Sequence, residues 1–233
     1  MIRTRDEASG IRTVAIMQPY FVPYAGYFRL LAAAELFVLY DCVQFPRRGW
    51  VHRNRLPDAN GQLQWLTLPL AKAPREVSIR DLRFRPDATA ALTTQFSRFP
   101  LLTRPCSEPP GLLDALRDVS GTPLDYIERL LARCAARLGL PWRVLRSSTL
   151  GIPPEVFGQE RILAIATALG ASQYVNPPGG RKLYDYNRFV AAGVELRFLP
   201  DHQGTFVSIL ARLLAEPAAA VTAEILAGVR LLT

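Results

Sequence analysis

An α/β fold on a mostly parallel sheet is what this sequence predicts, and three observations carry it. Two apolar runs, TVAIMQ (13–18) and FVLYDCVQF (37–45), flank a segment of helical composition, YFRLLAAAE (27–35), which is the span of one βαβ unit. The second run is hydrophobic nearly throughout, as a strand covered on both faces must be. Strand-like and helix-like segments then alternate to the end of the chain, with helices prominent in its C-terminal half.

Taken in order, residues 1–12 read as a flexible tail and 13–18 as a buried strand. PYFVPYAG, with two prolines and a glycine, is a loop leading into the helix at 27–35. After the strand at 37–45, RRGWVHRNRLPDANG reads as a polar loop. QWLTLPL (64–70) and VSIRDLRF (77–84) read as strands, and 87–100 and 110–119 as helices. The clearest amphipathic helix is 122–140, with Thr122 as its cap, Pro123 in the first turn and Gly139 near its end. WRVLRSS (142–148) is a strand and 154–171 a helix closed by Gly170. SQYVNPP (172–178) is a short strand, 186–200 a helix and strand, and 205–233 helical. An α/β part over 13–105 holds the expected active site. A helix-rich α/β part over 106–233 packs with it as one domain, the Pro-rich stretch 100–111 marking the boundary.

The totals narrow the function classes. The net charge is +8, and residues 1–105 carry 15 Lys/Arg against 8 Asp/Glu while the remainder carries 13 against 12. Basic character is densest at Arg47, Arg48, Arg53 and Arg55, with no acid between Cys42 and Pro57. Guanidinium forks match phosphate and carboxylate oxygens. No helix-turn-helix, zinc or RNA-recognition pattern accompanies the charge, so nucleic acid is not the expected partner. Cys42, Cys106 and Cys134 are too few and too scattered for a disulfide framework or a zinc site, and no metal or cofactor is expected. Apolar runs are too short to span a bilayer and the N-terminus lacks a signal-peptide core, so a cytoplasmic protein without membrane insertion is expected.

Ligands of open parallel sheets lie beyond the carboxyl ends of the strands. MQPYFVPYAGYF occupies that place after the first strand, and offers Gln18, Tyr20, Tyr24 and Tyr27 around two prolines and Gly26. It has neither a dinucleotide fingerprint nor a phosphate-loop lysine. The second strand ends in Asp41, Cys42 and Gln44. A buried carboxylate must be paired or ligated, so Asp41 is either a structural partner of Arg47, Arg48 or Arg53, or a base or amine anchor. Cys42 is either a small core residue or a nucleophile activated by nearby arginines, with His52 as its base. Trp50, Arg53, Asn54 and Arg55 suit a polar ligand bearing a ring or a phosphate. Asn176, Gly179, Gly180 and Tyr184 form a second turn able to approach an oxyanion, or simply a tight turn. His202 reads as a solvent-facing loop histidine, and Ser208 as a helix cap.

In order and spacing, MQPYFVPYAGYFRLL, FVLYDCVQF, RRGWVHRNRL and WLTLPL resemble the opening of the WbqC-like family. LGASQYVNPPGGRKLYDYNRFVAAGVELRFL and FVSILARLL resemble its later blocks. The resemblance runs from about residue 13 to 215. It carries over Gln18, Pro19, Pro23, Gly26, Tyr27, Phe28, Asp41, Gln44, Trp50, Arg53, Asn54, Asn176, Gly180 and Tyr184. Two positions depart from it: Cys42 where many members have a second Asp, and Ala211 where an Asp often stands. The resemblance implies a bacterial biosynthetic role tied to surface polysaccharide (O-antigen) and related pathways, without fixing a reaction.

The leading expectation is a transferase of acyl or aminoacyl groups, or a condensing or cyclising enzyme, working through a Cys42 thioester on an amine-containing substrate, with His52 as base and Asp41 orienting it or holding the amine. Arg47, Arg48, Arg53 and Arg55 would hold the phosphate or carboxylate of a small-molecule or carrier-protein-bound substrate. The alternatives are a non-covalent transferase acting on nucleotide-sugars or amino-sugars through Asp41, and a non-catalytic carrier-binding protein.

Overall fold

The computed structural model describes residues 11–103 and 111–231. The expected tail (apart from Ile11 and Arg12), Cys106 and most of the Pro-rich boundary lie outside the described residues.

Five strands form one sheet: β1 (Thr13–Met17), β2 (Leu36–Leu39), β5 (Val144–Arg146), β6 (Gln173–Asn176) and β7 (Glu195–Phe198), ordered β5-β2-β1-β6-β7. Every pairing in it is parallel. Side chains alternate across it as the two-residue period demands. Ala15, Phe37, Leu39 and Val175 pack into one hydrophobic cluster, and Val14, Ile16, Val38 and Tyr174 into another. The first cluster takes in α1 (Ala25–Ala33), α5 (Pro123–Arg137), α8 (Ile209–Ala215) and α9 (Ala218–Ala227). The second takes in α6 (Gly158–Ala168) and α7 (Tyr186–Ala191). Helices on both faces explain why the adjacent strands β1 and β2 are apolar nearly throughout.

α5 forms where its pattern says it should. Thr122 accepts from the Asp125 N–H at 3.2 Å, while the Asp125 carboxylate accepts from the Thr122 N–H at 2.8 Å, a reciprocal capping box. The shorter helices α2 (Ala88–Phe96), α3 (Pro100–Thr103) and α4 (Leu112–Arg117) replace the expected helices at 87–100 and 110–119.

Two segments differ from expectation. RRGWVHRNRLPDANG is not all loop: β3 (Arg53–Pro57) pairs antiparallel with β4 (Leu63–Thr67), closed by the turn at Asp58, whose carboxylate accepts the Asn60 and Gln62 N–H groups. Its charge hid a strand of which Asn54 and Leu56 are buried. VSIRDLRF is not a strand but a 3-10 turn at Ile79–Asp81, held by the Ile79 N–H on the Val43 carbonyl and the Arg80 N–H on the Asp41 carbonyl. Its alternation serves two buried anchors, Ile79 and Leu82, rather than a ladder.

Candidate functional site

From β1 the chain steps to β2 and then β5 on one side, and returns to β6 and β7 on the other. The crevice between the carboxyl ends of β1 and β6 is therefore the switch point of the sheet, where ligands of such folds bind. A cavity of about 440 Å³ lies there, with Met17 at the end of β1 and Pro177 just beyond β6 on its walls. Tyr20, Tyr24, Tyr27, Trp50 and Phe206 give it an aromatic lining, and Asn54 and Arg55 complete it.

The loop after β1 is held under strain. Val22 has φ 37° and is fully buried, and among the described residues it alone of the non-glycines has a positive φ. A β-branched residue in that region is disfavoured by about 1–3 kcal/mol and persists only where its surroundings impose it. Here they do. The Asn54 amide donates to the Phe21 and Val22 carbonyls at 3.1 and 2.8 Å. The Ser208 hydroxyl donates to Val22 O at 2.6 Å, the Phe21 N–H to Trp50 O at 2.9 Å, and the Ile209 N–H to Pro23 O at 2.7 Å. Asn54 Oδ1 also accepts the Arg55 N–H at 2.7 Å, so its amide is spent on the scaffold rather than on a ligand. Ser208 is the expected cap, accepting from the Leu210 N–H, and it ties α8 to this loop as well.

Gly26 lets the Tyr24 ring lie against the start of α1, since a Cβ there would stand 2.1 Å from Tyr24 Cε2. Tyr27 donates to the Gln18 carbonyl at 3.0 Å. Burial raises the hydroxyl pKa of Tyr20, Tyr24 and Tyr27, so near neutral pH all three are uncharged donors. Arg55 contributes the cavity's positive charge. Its guanidinium sits 5.8 and 5.5 Å from the Trp50 and Trp65 ring centres, with no ion pair among the described residues. Phe206 and His202 pack on Tyr24 with centroids 4.9 and 5.0 Å away, at the cavity's edge.

The remaining sequence-derived residues go elsewhere. Asp41 is fully buried, and its carboxylate accepts from Ser147 Oγ at 2.8 Å, Ser148 N at 2.9 Å and Ser148 Oγ at 2.6 Å. Its partners are thus two serines rather than Arg47, Arg48 or Arg53, and it ties the turn after β5 to the end of β2. Cys42 is half-buried, with Sγ 3.0 Å from Ser147 Oγ and 3.5 Å from Arg161 Nη1. His52 is not beside it. The imidazole packs edge-on against Phe45 and lines a second cavity with Arg47. Burial, then the charge of Arg53, lowers its pKa to about 4, so it is neutral at pH 7 and a weak base.

The four arginines do not form one clamp either. Arg47 donates to the Ala73 and Pro74 carbonyls, Arg53 donates to Arg48 O while lying 4.3 Å over the Trp65 ring, and Arg48 is exposed. The exposed Gln44 is tied to Arg75 O. Asn176 is buried against Gly180, where a Cβ would stand 1.9 Å from Asn176 Nδ2 and 3.3 Å from the Tyr184 ring. The Gly180 N–H is taken by Pro177 O, and Gly179 is exposed. Pro177 of this turn lines the cavity, whereas Asn176, Gly179, Gly180 and Tyr184 support the end of β6 and do not. Phe206, Met17 and Pro177 were missed by sequence reasoning. The strand-end rule, applied to β6 and β7 as it was to β1, points toward Pro177 and Phe206, whereas Met17 ends β1 itself and carries no polar group to mark it.

Comparison with known proteins bears on the same residues. The model of the WbqC-like protein family matches residues 18–208, from the loop after β1 to the serine that pins it. The chain belongs to the WbqC-like protein family. This WbqC-like protein is also 26% identical over 200 residues to the uncharacterized protein Rv1507c of Mycobacterium tuberculosis, covering 83% of this chain and 84% of that one. No solved structure matches it. Among the described residues no helix is long and apolar enough to cross a membrane, and no three His, Cys, Asp or Glu side chains cluster as a metal site would require.

Proposed function

We propose that this WbqC-like protein is a biosynthetic transferase that binds, in the switch-point cavity, a small molecule carrying a flat or ring-shaped group and an anionic group. The observation that supports this most is Arg55, an unpaired guanidinium among aromatic walls at the carboxyl end of a parallel sheet. A nucleotide-sugar fits that description. Trp50 and Phe206 would cover its rings, Arg55 would hold a phosphate oxygen, and the neutral Tyr20 and Tyr24 hydroxyls would donate to further oxygens. The rigid loop through Val22 keeps these groups in place before binding, which lowers the ordering cost of association. Titration calorimetry with a nucleoside diphosphate sugar, a free nucleoside and an acyl thioester tests it. The sugar nucleotide should bind best, and Arg55→Ala should weaken it about tenfold. Unchanged affinity in that variant rejects the reading.

A covalent route through Cys42 retains one favourable contact, the Arg161 guanidinium beside its sulfur. Rapid, selective alkylation of Cys42 with loss of turnover in Cys42→Ala would restore it. Full turnover in that variant would dismiss it.

A further inference from the structure

The second cavity, of about 460 Å³, shares no lining residue with the first. The segment from Trp50 to Arg55 is the wall between them: Trp50, Asn54 and Arg55 line one side and His52 lines the other. The second cavity has an apolar floor that includes Phe45, Leu68 and Leu82, and Arg47, Lys72 and Arg85 line it without a carboxylate among them. These three cations are not equivalent. Arg85 is held in a two-pronged pair with Asp87 at 2.8 and 2.6 Å. Arg47 is anchored through Nη2 alone, at 2.7 and 2.9 Å from the Ala73 and Pro74 carbonyls, which leaves its Nε and Nη1 groups to donate. Lys72 has no ion-pair partner among the described residues. His52 stays neutral and adds no charge, and its Nδ1 is buried without a hydrogen-bond partner.

From this geometry we infer that the second cavity is a separate binding site for the phosphate monoester of a small, partly apolar molecule. Two uncompensated cations, one an oriented guanidinium, match the charge of about −1.5 to −2 that a phosphate monoester carries near pH 7. A carboxylate would satisfy only one of them. The floor asks for an apolar body attached to the anion, so inorganic phosphate alone fills the site poorly. The volume is that of a small-ligand pocket, about 300–1,000 Å³.

Titration calorimetry of the full chain with phenyl phosphate, inorganic phosphate and phenol tests this. Phenyl phosphate should bind saturably and more tightly than either part. Arg47→Ala and Lys72→Ala should each weaken it about tenfold, while Arg55→Ala, in the other cavity, should leave it unchanged. Arg47 and Lys72 are exposed, so both variants should fold, with thermal midpoints close to wild type. Binding that Arg55→Ala abolishes, equal affinity for inorganic phosphate, or affinity untouched by Lys72→Ala would each overturn the assignment. The fate of the switch-point cavity is read separately, by the nucleotide-sugar titration.

Discussion

Asn54 is the residue whose loss should report most directly on the loop that shapes the switch-point cavity. It is 2% exposed and makes three hydrogen bonds, to Phe21 O, Val22 O and the Arg55 N–H. In Asn54→Ala the Val22 carbonyl keeps Ser208, but Phe21 O and the Arg55 N–H lose these partners. An unsatisfied buried group costs about 1–3 kcal/mol, so two cost roughly 3 kcal/mol. For a chain of this size each kcal/mol moves the thermal midpoint about 2–4 °C, giving a fall of roughly 6–12 °C. Asn54→Asp should be worse than alanine, because it keeps the acceptor for Arg55 but turns a buried carboxylate oxygen toward two carbonyls. Scanning calorimetry and urea unfolding measure both variants, and a sugar-nucleotide titration measures the cavity. A midpoint for Asn54→Ala within about 2 °C of wild type would refute the claim that this side chain holds the strained loop.

Further outcomes follow from the same structure. Ser208→Ala should cost about 1–2 kcal/mol through its cap and its Val22 contact, and should couple to Asn54→Ala in a double-mutant cycle because both hold the Val22 carbonyl; strict additivity would contradict this. Gly26→Ala should drive the Tyr24 ring out of the cavity, weakening ligand binding while leaving the unfolding midpoint near wild type; unchanged affinity would show that the ring can stay. Because His52 titrates near 4 in the folded chain against 6.5 for the free side chain, the unfolded state binds the extra proton. Its contribution is complete above about pH 6.5 and is lost as pH falls toward 4. His52→Gln should therefore flatten the stability profile across that window, and an identical slope would argue against a buried neutral ring. Cys134 is fully buried and burial pushes its thiol up to about 12, so peptide mapping after iodoacetamide at neutral pH should find it unlabelled in the folded protein.

The sheet was legible because apolar runs such as TVAIM can only be covered strands, and α5 because its capping residues and periodicity agree. β3 was not, because RNRLP carries Arg53 and Arg55 beside the cavity wall instead of a hydrophobic face. That omission brought together residues to which the structure gives different neighbours. Treated as a free loop, residues 47–55 could be folded back so that His52 met Cys42; as the approach to a hairpin, they set Trp50 and Arg55 on one cavity and His52 on another. The strand-end rule pointed to the loop whose Tyr20, Tyr24 and Tyr27 line the switch-point cavity, while Trp50 and Arg55, on the same walls, were singled out for their ring and guanidinium. The partners of Asp41 could not be read locally, since Ser147 and Ser148 lie 106 and 107 positions away and serines carry no pattern of their own.

The bond from Ser208 to Val22 spans 186 positions, and the walls at Met17 and Pro177 belong to strands joined only when β6 docks on β1. Closing so long a loop is slow compared with forming a local helix or hairpin. The cavity exists only once these distant segments have met, so a ligand specific for it would count only chains in which they have. Used as an affinity handle, such a ligand would separate native protein from chains in which β6 has not docked on β1.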